Sequence, residues 1–257
     1  MKKNYVTQAI NLKNYPLNDN DSIVVMFSKT KGLLHAVAKG AKRPKSKLGA
    51  RIQMFIANDI MLNEGKNLDT IAQAQSLNTF SKIRSDLDKL SYSMYIAEIV
   101  NSFCANSNDK NENYEEIYDL IFKTLDNVAN SKDKKEVILN ALKFQIKLMN
   151  ILGWGLDFEY CSMCQKNIEN DAVYTVSFGM LCECCAKKNY DYTNIKLNKK
   201  IKEFLSEIAK FENTKYDNLV NEPVVEKCFL FMKKYIDNLT KKKTKIFEVL
   251  EKTAINL

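Results

Sequence analysis

Up to about residue 80, apolar and polar positions alternate with a period of two and β-branched residues are common, a pattern that predicts strands burying one face. Five are expected, over 5–12, 22–27, 33–38, 51–62 and 68–77. Turn residues separate them: Pro16, Asn18, Asp19 and Asn20 in the first gap, Lys31 and Gly32 in the second, and Gly65 before the fifth. Beyond residue 80 the period becomes 3.6. Ile83, Leu87, Leu90, Met94 and Ala97 mark a helical stripe over 82–103. Tyr114, Ile117, Ile121, Leu125 and Val128 mark another over 114–129, after the polar loop 107–113. A third helix, over 134–152, carries Ile138, Leu142, Met149 and Leu152 and stops at Gly153 and Gly155, residues suited to a left-handed cap. Two more are expected over 198–211 (Ile201, Leu205, Ile208) and 224–239 (Val225, Phe229, Met232, Ile236), the second opened by Pro223. The pattern therefore predicts an α+β chain, with a five-stranded barrel over 1–79 and a helical domain over 80–257. An OB-fold suits the five short strands, and an SH3-like barrel is almost as compatible.

Five of the seven cysteines interrupt the helical pattern in the window CSMCQKNIENDAVYTVSFGMLCECC, 161–185. Two Cys-x-x-Cys pairs, Cys161 with Cys164 and Cys182 with Cys185, stand 17 residues apart. Each pair can turn two thiolates inward from one knuckle, and two knuckles complete the tetrahedron that Zn2+ prefers. Disulfides are the competing reading; Cys104 and Cys228 are far apart in the chain and no secretory signal is evident, which favours the metal. Cys184 can replace Cys182 or Cys185 only by breaking the paired spacing. Four thiolates leave no place for water, so the ion is expected to staple a unit at 158–190 and to fix the helix ending at Gly153 relative to the one beginning near 198. A zinc nucleobase deaminase also uses Cys-x-x-Cys, but it needs a third ligand of His or Cys two residues before a Glu and an open metal position. Cys182-Glu183-Cys184 is only a fragment of that arrangement, with no Pro before either pair.

The content of 46% hydrophobic and 27% charged residues belongs to an ordinary globular protein. Apolar runs such as IVVMF at 23–27 are far too short to cross a bilayer, and the start, MKKNYVTQAINL, lacks the apolar core of a signal peptide, so a cytoplasmic protein without membrane contact is expected. Charge adds more once it is located. Residues 29–51 hold eight Lys or Arg and no Asp or Glu, and the 31 basic residues elsewhere balance the 31 acidic ones. The net +8 is thus one segment, which reads as a surface for a polyanion. Within it Lys39, Lys42, Arg43, Lys45, Lys47 and Arg51 are the expected phosphate contacts, with Gly40 freeing the backbone and Pro44 stiffening it. Phe27, Phe55 and Tyr5 are the barrel aromatics available for stacking on bases. A second basic run, TKKKTK at 240–245, follows the last helix. His35, the sole histidine, has no carboxylate or Cys partner at useful spacing and is not expected to catalyse.

Three ordered motifs resemble the bacterial RecO family of recombination and repair mediators: GLLHAVAKGAKRPKSKLGARIQMF at 32–55, RSDLDKLSYSMYIAE at 84–98, and ILG followed by C-x-x-C and G-x-L-C-x-x-C. The resemblance covers most of the chain. Leu156 stands where that family commonly has Pro, and Gly179 stands alone where a Gly-Gly pair is usual. The resemblance implies an N-terminal OB-fold, a helical domain with a zinc finger, and no enzymatic turnover. It also implies binding to single- and double-stranded DNA, annealing of complementary strands, and action with RecR in helping RecA replace the single-stranded DNA-binding protein on the nucleoid. A zinc-stapled adaptor that binds only protein is the alternative, its basic loop then facing acidic partner segments.

Overall fold

The computed structural model describes residues 3–105, 113–189, 194–210, 221–241 and 244. The alternating segments form β1 (Asn4–Pro16), β2 (Ser22–Ser28), β3 (Gly32–Ala38), β4 (Ala57–Asn63) and β5 (Asp69–Asn78), closed into a barrel in the order β1-β2-β3-β5-β4. All pairs are antiparallel except β3 with β5, which pair in parallel at Ala36↔Asp69 and Val37↔Thr70. This is the order of an OB-fold barrel. β1 outruns its expected length because it serves two partners. A register shift between Asn11 and Lys13 bends the strand, so one half pairs with β4 and the other with β2. Small and branched side chains fill the interior, among them Ala9, Val24, Met26, Ala36, Ala38, Ile60 and Leu62.

The fourth strand begins later than the alternation suggests. Residues 47–51 instead form a short helix, α1 (Lys47–Arg51), whose N-cap Ser46 accepts a hydrogen bond from the Gly49 N–H at 3.1 Å. It brings Leu48 and Ile52 onto the barrel core. The helical stripe expected over 82–103 is likewise broken, into α2 (Ser81–Arg84) and α3 (Leu87–Cys104), because Asp86 caps α3 by accepting from the Lys89 N–H at 3.0 Å. α3 and α4 (Tyr114–Asn130) bury Ile96, Ile99, Val100, Ile117, Ile121 and Leu125. The ring of Tyr114 meets Phe27 edge-on at 6.4 Å and lies so close to Gly32 that a Cβ there would stand 2.6 Å from it. The chain divides into two compact units, the first holding the barrel and α2 to α4 up to Ser131 together with Thr244, the second spanning Lys132–Lys243.

In the second unit α5 (Lys134–Ile151) is central, with α7 (Lys199–Lys210) and α8 (Glu222–Thr240) packed on it. Asp133 caps α5 by accepting from Glu136 N–H, while Glu136 Oε2 accepts from the N–H of Lys132, the residue before the cap. Between α5 and α7 lie β6 (Ala172–Thr175), β7 (Gly179–Cys182), α6 (Glu183–Lys188) and β8 (Ile195–Leu197), the strands forming a sheet in the order β7-β6-β8. Tyr174 of β6 docks this sheet edge-on against Phe231 and Tyr235 of α8, both at 5.6 Å. The loop at 107–113 lies outside the described residues apart from Asn113, as does the basic tail at 240–245 apart from Thr240, Lys241 and Thr244.

Candidate metal centre and nucleic-acid interface

The two knuckles converge. The sulfur atoms of Cys161, Cys164, Cys182 and Cys185 all lie within 4.8 Å of one another, with Cys164 and Cys182 at 3.9 Å. A tetrahedral Zn–S₄ centre with bonds of about 2.3 Å requires sulfurs about 3.8 Å apart, so the set fits that ion. All seven cysteines are free thiols, and Cys184 is exposed outside the cluster. Backbone geometry shapes the first knuckle: Gln165 N–H donates to Cys161 O and Cys161 N–H to Lys166 O, both at 2.9 Å, with Gln165 in the left-handed region. The second knuckle grows from the end of β7, where Cys182 is also the N-cap of α6. Ser162 ties the two together, its N–H and hydroxyl both donating to Met180 O at 2.8 and 3.0 Å. Gly179 turns the β6–β7 hairpin at φ 76°, where a Cβ would stand 3.1 Å from Ser162 Oγ. A single glycine at this position meets the steric demand of the turn.

The thiols press on one another electrostatically. Burial raises Cys161, but N–H groups of Cys164, Cys182 and Met163 and the Cys164 side chain outweigh it and bring the thiol down to about 6. Cys185 is pushed up to about 12, first by burial and then by the side chains of Cys182, Cys164 and Cys161. Four thiolates this close cannot all carry charge without a cation among them, which is the role a metal ion fills. Lys202, buried at 6% exposure, donates its ammonium to Ile168 O and so holds the loop after the first knuckle to α7.

On the barrel the basic run separates into two groups. Lys29 bridges Glu115 and Asp119 at 3.1 Å each, and Lys31 reaches Glu64 at 3.3 Å and lies 3.5 Å over the Tyr5 ring. Lys39, Lys42, Arg43, Lys45, Lys47 and Arg51 are all exposed and share one segment between β3 and the end of α1. The Gly40 turn closes with Arg43 N–H donating to Gly40 O, and Lys45 after Pro44 adopts a left-handed φ of 61°. The loop is clipped to the β1–β2 hairpin by three bonds: Lys42 N–H to Asn20 O at 2.9 Å, Lys42 Nζ to Asn18 O at 3.0 Å, and Gly40 N–H to Asp21 Oδ1 at 2.7 Å. The Gly40 N–H and the Asn18 amide, aided by the charges of Arg43 and Lys39, hold the Asp21 carboxyl below the ordinary carboxylate range. Arg51 is tethered through Nη1 to Ala74 O of β5.

Of the three aromatics named in the barrel, two present no ring to solvent. Phe27 and Phe55 are fully buried, and Tyr5 is half-buried with its hydroxyl donating to Asp69 Oδ2, burial and that carboxylate holding the phenol above its usual range. His35 sits exposed on β3 and belongs to no metal-binding group among the described residues.

Fold and site together define an OB-fold protein with an exposed basic segment and, among its helices, a four-cysteine cluster that could hold a metal ion. Residues 1–80 match the family model "Recombination protein O N terminal", and 84–245 match "Recombination protein O C terminal". Proteins called DNA repair protein RecO are similar along most of their length: that of Desulforamulus reducens is 30% identical over 97% of this chain and 95% of its own, and that of Thermoanaerobacter sp. 30% over 90% and 92%. That of Alkaliphilus metalliredigens is 31% identical over 75% of each chain. The chain belongs to the RecO family.

Proposed function

We propose that the protein is a DNA repair and homologous recombination mediator without catalytic turnover. The barrel, 1–79, binds single- and double-stranded DNA through Lys39, Lys42, Arg43, Lys45, Lys47 and Arg51. The remainder, 80–257, with its zinc unit at 158–190, serves contacts with RecR and the single-stranded DNA-binding protein, and so acts on RecA indirectly. Work on the nucleoid within the cytoplasm follows from that role. The observation that carries the reading is a run of six exposed cations on the segment joining β3 to the end of α1 in an OB-fold, in a chain whose relatives are called DNA repair proteins. Annealing requires the repulsion between two phosphate backbones to be screened while base edges stay free, and backbone-directed Lys and Arg meet both conditions. Zn2+ held by Cys161, Cys164, Cys182 and Cys185 supplies a cross-link with no open coordination position.

Salt dependence is the direct test. With about four to six phosphates engaged on a single strand, log affinity falls with log salt at a slope of roughly 3 to 4. Changing Lys42, Arg43 and Lys45 together to Ala should flatten the slope by about two, at about 0.7 per contact. An unchanged slope moves the site elsewhere, and no measurable DNA affinity in the parent protein leaves the adaptor reading in its place.

A further inference from the structure

The outer face of β1, β2 and β3 is not the polar surface expected of a solvated sheet. One cross-strand row runs Tyr15, Ile23, Val37 and the next Lys13, Val25, His35. The interior takes the alternate set, Val24 and Met26 on β2 and Ala36 and Ala38 on β3, so both rows lie on the opposite face, where Val25 is buried between Lys13 and His35 at 3% exposure. Ile23 and Val37 are half-buried, while Tyr15 is 42% exposed and has Lys13 Nζ 4.7 Å from its ring centroid. Neither row contains an acid. An apolar strip with an exposed ring and cations at its rim is chemistry that accepts a nucleobase on the ring and phosphates on the ammonium groups.

Location strengthens the case. Tyr15 stands at the start of the hairpin that Lys42 and Gly40 clip to the basic loop, and Lys39 directly follows the last residue of β3. A strand crossing this face therefore meets the strip and the loop as neighbouring parts of one surface. We propose that the Tyr15–Ile23–Val37 row is a base-stacking platform for single-stranded nucleic acid, with Tyr15 as its principal ring and the flanking phosphates held by Lys13, Lys39, Lys42 and Arg43. This rests on the DNA-binding reading and adds to it where the bases lie. Duplex DNA keeps its bases inside the helix, so the platform acts on single strands alone.

The test uses full-length protein, with Tyr15→Ala and Tyr15→Phe compared on oligo-dT, on an abasic strand of equal length and on a duplex, by fluorescence anisotropy. Tyr15→Ala should weaken oligo-dT binding about tenfold and leave the abasic strand, the duplex and the salt slope unchanged, while Tyr15→Phe retains parent affinity. The Lys42, Arg43 and Lys45 triple alanine variant should weaken all three ligands. If Tyr15→Ala binds oligo-dT as the parent does while the triple variant is impaired, the platform is overturned and the DNA-binding loop stands. Equal loss on the abasic strand traces the effect to a distorted hairpin and also overturns the platform. A triple variant that binds all three ligands normally refutes the loop reading itself.

Discussion

Asp21 shows how one carboxylate can organise a cationic surface. Its oxygens accept from Gly40 N–H and from the Asn18 amide, joining the β1–β2 hairpin to the loop that carries Lys39 to Lys45. Because these partners depress its pKa, the stabilisation it gives is complete above the unfolded carboxylate's pKa and is lost only as pH falls through the lower folded value. The loop should therefore keep its shape through neutral and mildly acidic pH. Titration of the Asp21 carboxyl carbon by NMR should give a midpoint below that of an aspartate in an unstructured peptide, and it should rise when Lys39 and Arg43 are both changed to Ala. A midpoint at or above the peptide value would show the clip to be weak in solution.

At the scale of elements, the four-cysteine unit is a three-stranded sheet and one short helix with four converging sulfurs, docked by Tyr174 between Phe231 and Tyr235. So small a layer has little core of its own, and its folding should be linked to metal binding. Protein prepared without added metal should contain one zinc per chain by elemental analysis; iron in its place, or no metal, would contradict the assignment. Replacing Cys161 or Cys185 by Ser should lower the stability of the second unit by about 4 kcal/mol or more, the range associated with loss of a structural metal. Trp154, the sole tryptophan, is a built-in reporter: it is 53% exposed, and its carbonyl accepts from the Tyr235 hydroxyl at 2.6 Å. Its emission should change with metal removal, and an emission spectrum that does not respond would indicate a unit that folds without the ion.

For the molecule as a whole, the net +8 equals the eight Lys and Arg of the segment 29–51, the basic and acidic residues elsewhere being equal in number. The full-length protein should accelerate pairing of complementary strands without ATP, including strands coated by the single-stranded DNA-binding protein of the same organism. The informative comparison is with residues 1–131, since α4 covers Phe27 and a cut at 79 would strip it. Equal annealing of coated strands by this fragment would show the second unit dispensable for the step.

What the sequence determined by itself was local and periodic. Alternation in β1 to β5, the stripes of α4, α5, α7 and α8, and the spacing of Cys161, Cys164, Cys182 and Cys185 were legible because each depends on neighbours a few residues apart. The cation run was legible for the same reason. Tertiary structure decided whatever depended on residues distant in the chain. It closed the barrel in OB-fold order through the parallel pairing of β3 with β5, and it turned 47–51 into a helix that brings Leu48 onto the barrel core. It drew Lys29 and Lys31 out of the basic run into ion pairs with acids far along the chain. It excluded Cys184 in favour of its two neighbours, and it buried Phe27 and Phe55 while leaving Tyr15 in solvent. Period says that a strand has two faces; only the elements packed against it settle which face meets water.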